Sequence, residues 1–157
     1  MLGYPSMYRI ERTQILPIPL EEAWQFFSSP KNLAKITPSE LGFVVHGEVP
    51  DVMYPGLFIQ YTVSPLLRIP MTWVTEITHV REGSYFVDEQ RVGPYAIWHH
   101  EHFFESIPGG VKMTDIVHYQ VPFGILGKLV HPLVVRPKLE QIFSYRWKTN
   151  ERLFGTM

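Results

Sequence analysis

Residues 71–121 constrain the fold most strongly, because apolar and polar side chains alternate there through four successive segments. A period of two is typical of strands with one buried face. Short turn signals separate the segments, and consecutive strands joined by tight turns form an antiparallel meander. The predicted strands are 71–80, 85–92, 97–106 and 112–121, with turns at Glu82-Gly83, Gly93-Pro94 and Gly109-Gly110.

The preceding residues add three strands and two helices. Residues 8–14, 43–46 and 57–63 also alternate, and Pro-Ile-Pro ends the first of these segments. A helix is expected over 19–27, where Pro19 is tolerated at the start and apolar residues recur on one face. Ser29-Pro30 then indicates the N-cap and first position of a second short helix.

The tail, residues 126–154, has helical spacing of its apolar residues, which are Leu126, Leu129, Val130, Leu133, Leu139, Ile142, Phe143 and Trp147. Pro132 and Pro137 lie within it and are expected to kink or split the helix. The predicted order is therefore β-α-α-β6-α. A seven-stranded antiparallel sheet with helices collected at its ends is an α+β fold, and we expect one domain.

Hairpin geometry predicts which side chains share a face. If Gly109-Gly110 is a two-residue turn, Phe104 pairs with Asp115; if Glu82-Gly83 is one, Ile77 pairs with Asp88. The face so defined is far more apolar than the opposite one, so it should point inward. The predicted inward residues are Trp73, Thr75, Ile77, His79, Phe86, Asp88, Gln90, Trp98, His100, His102, Phe104, Met113, Asp115, Val117 and Tyr119.

Several predicted inward residues are polar or ionisable, which is costly unless they are hydrogen-bonded. Aromatic walls with a few convergent polar groups are typical of a small-molecule pocket. The sequence therefore predicts an internal cavity whose ligand-binding residues are Trp73, Thr75, Phe86, Asp88, Gln90, Trp98, His100, His102, Phe104, Met113, Asp115 and Tyr119.

Composition narrows the function classes. The 157 residues carry a net charge of −1, which provides no electrostatic footprint for nucleic acid or an anionic membrane. The absence of cysteine excludes disulfides and thiolate-ligated metals. With neither a membrane-spanning run nor a signal-like start at residues 1–7, we expect a cytoplasmic protein without membrane insertion.

The whole chain, from about Tyr8 to Phe154, resembles the START-like or SRPBCC superfamily, whose architecture is the helix-grip fold. The resemblance is greatest to an uncharacterised bacterial ligand-binding subgroup. The residues that carry it are Trp24-Gln-Phe-Phe27, Ser29-Pro30, Asn32-Leu33, Ile36-Thr-Pro38, Asp88-Glu-Gln90, Gly93-Pro94, Trp98-His-His-Glu-His-Phe103, Met113-Thr-Asp115, Val121-Pro-Phe-Gly-Ile-Leu-Gly127, Ile142-Phe143 and Tyr145-Arg146.

This resemblance implies a curved sheet around a long C-terminal helix, with a cavity between them. The superfamily hosts enzymes, carriers and sensors on one scaffold, so function must be argued from the site. Our first hypothesis is binding of a small hydrophobic molecule with a polar group. The alternative is a cyclase or dehydratase acting on a polyketide-like or aromatic substrate, with His100 or His102 as acid–base and Asp115 as partner.

Three further interpretations stay open. His100 and His102 share a strand face and, with Asp88 or Asp115, form a candidate metal site, although we predict neither a metal nor a cofactor. A protein-interaction module acting through an exposed apolar helix or strand edge is a third functional hypothesis. Residues 121–135 are apolar, with glycines and prolines, and are interpreted as a gate over the cavity, a homodimer surface or an ordinary loop.

Overall fold

The computed structural model describes residues 7–65 and 68–157. Its strands follow the predicted order and are β1 (Tyr8–Leu16), β2 (Val44–His46), β3 (Leu57–Val63), β4 (Met71–Arg81), β5 (Tyr85–Val92), β6 (Ile97–Ile107) and β7 (Gly110–Gln120). Its helical segments are α1 (Leu20–Phe27), two 3₁₀ helices (Pro30–Ile36 and Ser39–Leu41), α2 (Gly124–Val130), a π-helical turn (His131–Val135) and α3 (Arg136–Phe154).

The seven strands form one antiparallel sheet in the order β1-β7-β6-β5-β4-β3-β2. Its open, curved surface carries the long C-terminal helical stretch, so the predicted α+β fold is confirmed. Pro132 falls in the π-helical turn and Pro137 in the first turn of α3, so the predicted interruption takes the form of a local change of pitch. Within the described residues, no helix combines the length and the hydropathy needed to span a bilayer.

The predicted register between β6 and β7 was wrong by two residues. The hairpin loop is Pro108-Gly109, since Ile107 pairs with Gly110. Gly109 supplies the positive φ, 83°, that the turn needs. His102 therefore faces Asp115, where the sequence had placed Phe104. An even shift keeps every side chain on its predicted face.

The β4–β5 hairpin follows the prediction only at its far end. Thr75 pairs with Gln90 and Ile77 with Asp88, as expected, but the pairing shifts between Ile77 and His79. This β-bulge turns His79 outward and brings Val80 against the core instead. The inward position predicted for His79 is therefore wrong.

Two apolar clusters hold the helices against the sheet. Trp24 of α1 packs edge-on to Phe86 and Phe104, at centroid distances of 6.1 and 5.4 Å. On α3, Leu139 and Phe143 pack against residues of β1 and β7. The predicted apolar face of this helix included Trp147, which instead lies outward. The inward-facing positions continue through Arg146, which is half-buried, and the buried Asn150.

Buried amides fasten α3 to the first strand. The Asn150 side-chain amide donates to Gln14 Oε1 at 2.9 Å, and the Gln14 amide donates to the Trp147 carbonyl at 3.0 Å. Both side chains are buried, so each bond replaces water that neither group can reach. This pair fixes the height at which α3 crosses the sheet.

We expect Asn150→Ala to lower the free energy of unfolding by about 2–3 kcal/mol, because it leaves Gln14 Oε1 buried without its hydrogen-bond donor. Urea denaturation followed by circular dichroism measures the change. Lys148→Ala, an exposed position on the same helix, should differ from wild type by less than about 0.5 kcal/mol. Equal stability of the two variants would contradict the assigned role of the amide pair.

Candidate functional site

A cavity of about 130 Å³ lies between the sheet, α1, the first 3₁₀ helix and α3. We call it the inner cavity. Its walls include all the predicted ligand-binding residues except Gln90 and Tyr119. Those that line it are Trp73, Thr75, Phe86, Asp88, Trp98, His100, His102, Phe104, Met113 and Asp115.

Gln90 and Tyr119 have structural partners elsewhere. The Gln90 side chain donates to the Tyr95 carbonyl at 2.7 Å and accepts from the Tyr95 amide at 3.0 Å, so it closes the β5–β6 loop. The Tyr119 hydroxyl lies 2.7 Å from His131 Nε2 and connects β7 to the π-helical turn. Alternation along a strand predicts the face of a side chain but not the loop or helix that covers it.

Four ionisable residues form the polar end of the inner cavity, and we call them the His–Asp quartet: Asp88, His100, His102 and Asp115. They come from the neighbouring strands β5, β6 and β7, where Asp88 faces His100 and His102 faces Asp115. The two imidazoles lie against each other, with ring centroids 3.7 Å apart. Phe86 stacks on the outer face of His102 at 4.1 Å.

Each imidazole reaches from one carboxylate to the other. His102 Nε2 lies 2.7 Å from Asp88 Oδ2, and its Nδ1 lies 2.9 Å from Asp115 Oδ1. His100 Nε2 lies 3.0 Å from Asp115 Oδ1, while its Nδ1 is 3.6 Å from Asp88 Oδ2. An ionised carboxylate only accepts hydrogen bonds, so a nitrogen that faces one closely needs a proton. His102 is therefore the imidazole suited to carry two protons.

Burial and charge move the two histidine pKa values in opposite directions. Burial lowers the pKa of His100, and the charge of His102 lowers it further, which together outweigh the two aspartates. Burial also opposes the charged form of His102, but hydrogen bonds to Asp115 and Asp88 outweigh burial and raise its pKa. The quartet thus places an imidazole that favours its neutral form beside one that favours its charged form.

The aspartates stay ionised. Burial raises the pKa of each carboxyl, but the histidines outweigh it, so the pKa of Asp88 is lowered and that of Asp115 lies well below its usual range. With His102 and Arg146 charged, two cations balance the two carboxylates around the cavity. Compensated charges are the condition under which such a cluster tolerates a desolvated site.

Arg146 is a charged residue of the cavity wall that was not among the predicted ligand-binding residues. It projects from α3 into the inner cavity, and its Nε is buried without a hydrogen-bond partner among the described residues. The signal was present in the spacing, because positions 139, 143, 146 and 150 continue one helical face. Arginine at a position on that face indicates a polar partner inside the fold.

A second polar group lies on the neighbouring strands β3 and β4 of the same sheet. Trp73 Nε1 donates to Thr75 Oγ1 at 3.1 Å, and the Tyr61 hydroxyl lies 3.0 Å from the same oxygen. Burial raises the pKa of Tyr61, which keeps it a neutral hydroxyl. These three groups satisfy one another and present aromatic surface to the cavity.

Asp88, His100 and His102 are the residues that would hold a metal ion, since their ligand atoms lie within 4.8 Å of one another. In the structure these atoms are engaged in carboxylate–imidazole contacts, and a metal would have to displace the proton between His102 and Asp88. The donor set suits several divalent metals without selecting one.

Comparison with known proteins finds similarity in structure alone. Neither a protein-family model nor a curated protein matches the chain. The CV1439 protein of Chromobacterium violaceum has a TM-score of 0.71 at 13% identity, over 95% of this chain and 98% of that one. Protein Ms6760 of Mycobacterium smegmatis has a TM-score of 0.66 at 17% identity, over 92% and 89% of the two chains.

Ara h 8.0201, a Bet v 1 relative, has a TM-score of 0.59 at 14% identity, over 92% of this chain and 98% of that one. The chain has a helix-grip fold. At these identities the similarity shows the fold and not the ligand or the reaction. The ligand and any reaction must therefore be inferred from the quartet and Arg146.

Replacing the Asp115 carboxylate tests the electrostatics of the quartet. We expect Asp115→Asn to lower the pKa of His102, because the imidazolium loses one of its two anionic partners. In wild type the raised pKa of His102 contributes stability that is present below about pH 6.5 and lost as pH rises through the folded-state pKa. The variant should lose part of this pH dependence, since only the Asp88 carboxylate remains beside His102.

Nuclear magnetic resonance titration of the imidazole protons measures the shift, and urea denaturation at several pH values measures the stability. The matched control is Glu89→Gln, which alters the carboxylate 2.8 Å from the outward-facing His99. The control should leave the His102 titration unchanged. An unaltered His102 titration in Asp115→Asn would show that the carboxylate does not act on that ring.

Proposed function

We propose that the protein binds a small, largely apolar molecule, about the size of one substituted aromatic ring, through an oxygen that accepts hydrogen bonds. The volume of the inner cavity supports the size. At about 130 Å³ it is comparable to the apolar cavities of roughly 150 Å³ that hold benzene. Its walls are mainly aromatic and aliphatic, with the polar groups gathered in one region, which is typical of a ligand pocket.

The observation that carries the proposal is the unpaired donor at Arg146. A buried N–H group without an acceptor costs free energy, and a ligand oxygen would remove that cost. Carbonyl and carboxylate oxygens both fit, since guanidinium binds either one. The ring of such a ligand would then contact Trp73, Trp98 and Phe104. The sequence already predicted a hydrophobic ligand with a polar group. The proposal adds Arg146 to the residues that would bind that group.

Ring compounds that differ only in their polar group test the proposal. We expect benzoate and benzaldehyde to bind, with toluene weaker than both because it offers no acceptor. Arg146→Met should weaken benzoate binding by about tenfold or more, while toluene binding changes by less than about threefold. Quenching of tryptophan fluorescence, checked by native mass spectrometry, measures these affinities.

Lys148→Met removes a cation from the exposed side of the same helix and is the matched control, expected to bind all three compounds as wild type does. Failure of wild type to bind any of the three compounds would contradict a ring-sized pocket. Equal losses of benzoate and toluene in Arg146→Met would show that the arginine supports the cavity without recognising the oxygen.

The second candidate is a cyclase or dehydratase, and the opposed pKa shifts of the two histidines favour it. Paired groups whose environments push their pKa values apart are suited to act as base and acid. In a dehydration, neutral His100 would take the proton from the carbon beside a carbonyl held by Arg146. The C–H electron pair would form the new double bond, and His102 would protonate the β-hydroxyl group, which leaves as water.

4-Hydroxy-4-phenylbutan-2-one is a suitable probe, because it is a β-hydroxy ketone with one ring and its 4-phenylbut-3-en-2-one product absorbs in the ultraviolet. If the protein catalyses this reaction, His100→Ala and His102→Ala should each abolish turnover while benzoate binding survives. Turnover that persists in both variants would make those roles wrong. Binding of benzoate without turnover in wild type would favour the binding function alone.

We also propose that the chain belongs to the ligand-binding SRPBCC subgroup and acts in the cytoplasm. The sequence motifs around Trp98 and Asp115 support the first statement, together with the helix-grip fold. The absence of cysteine is consistent with the second.

A further inference from the structure

A second, larger cavity of about 560 Å³ opens on the other side of Trp73, which lines both. We call it the outer cavity. Its walls are apolar apart from Lys138. They are formed by Leu41, Val63, Pro65, Met71, Trp73, Gly93, Pro94, Tyr95, Val121, Pro122, Phe123, Leu126, Gly127, Val130, Val135, Lys138, Leu139 and Ile142.

The segment that borders this cavity exposes large apolar side chains. We call residues 123–135, which comprise Phe123, α2 and the π-helical turn, the apolar segment. Five of its side chains have between 63% and 80% of their surface exposed: Phe123, Ile125, Leu126, Leu129 and Leu133. Phe123 and Leu126 also line the outer cavity, so the exposed surface is continuous with the cavity wall. Contiguous exposed apolar surface of this kind marks an interaction site.

The charge around the apolar segment is positive. Residues 116–139 contain Lys128, Arg136 and Lys138 and no aspartate or glutamate. None of these three cations pairs with a carboxylate among the described residues. The nearest acidic residue along α3 is Glu140, which is paired with Arg12. The net charge of −1 for the whole chain conceals this local excess.

We propose that the apolar segment docks on the surface of an anionic lipid bilayer, with Leu129 and Leu133 in the acyl boundary and the three cations at the headgroups. An apolar face flanked by lysine and arginine is the composition that binds membrane interfaces without spanning them. Docking in this orientation places the mouth of the outer cavity against the bilayer. An apolar molecule could then pass between lipid and cavity without crossing water.

Charge favours a bilayer over a second copy of the chain. A two-fold dimer brings the same patch of each copy together, so the cations of both copies would share one interface to which residues 116–139 contribute no carboxylate. Like charges placed opposite one another oppose association, whereas anionic headgroups complement them.

Co-sedimentation with vesicles tests the docking. Wild type should bind vesicles of three parts phosphatidylcholine to one part phosphatidylglycerol, and bind phosphatidylcholine vesicles more weakly. The double variant Leu129→Asp/Leu133→Asp should bind the mixed vesicles at least about tenfold more weakly, because it places charge in the acyl boundary. Lys128→Glu/Arg136→Glu should lose about tenfold or more on the mixed vesicles and little on phosphatidylcholine.

Val52→Asp is the matched control, since Val52 is also exposed but lies far along the chain from the apolar segment. It should bind as wild type does, and circular dichroism should show all variants folded. Failure of wild type to sediment with either vesicle would overturn the proposal. So would a dimer in light scattering that Leu129→Asp/Leu133→Asp converts to monomers, which would assign the surface to a second copy.

Discussion

The desolvated contact between two imidazoles and two carboxylates is the interaction on which the rest of the site depends. Four ionisable side chains on one sheet face are tolerated only because each charge meets an opposite one at hydrogen-bond distance. That match requires the register of β5, β6 and β7 to be fixed, since a slip of one residue would turn all four outward. The quartet therefore constrains the fold as much as the fold positions the quartet.

The alternation of residues 71–121 was enough to predict the sheet, the inward face and most of the cavity wall. The alternation did not determine the register of β6 and β7, because Pro108-Gly109 and Gly109-Gly110 both fit a two-residue turn. The wrong β6–β7 register left every side chain on its predicted face, because a shift of two residues preserves the face. It did not, however, predict that His102 faces Asp115 directly. The bulge at Ile77–His79 left no trace in the alternation and moved His79 from the predicted core to the surface.

The missed arginine shows a different limit of sequence patterns. Apolar periodicity identifies the inward face of a helix from its apolar residues. A charged residue on that face is therefore predicted to lie outward, and a large apolar neighbour is predicted to lie inward in its place. Here Trp147 was preferred to Arg146, although helical spacing from Leu139 and Phe143 leads to Arg146. The structure reverses the choice: Trp147 lies outward, and its indole donates to Glu151 at 2.8 Å. An arginine Nε that is buried without a partner is costly, and its presence points to function more strongly than another apolar residue would.

Trp73 lies between two cavities of contrasting chemistry, and this contrast connects the proposed functions. The inner cavity is small and polar at one end, whereas the outer cavity is larger and almost wholly apolar. A small ligand with one acceptor oxygen and an apolar ring matches the two environments in turn: the outer cavity accommodates its apolar surface on entry, and Arg146 binds its oxygen in the inner cavity. Such a molecule partitions into bilayers, where its polar end stays at the interface. A protein that takes up the molecule at the membrane would need an apolar entrance and an inner group that recognises the oxygen, which is the order in which the two cavities are arranged.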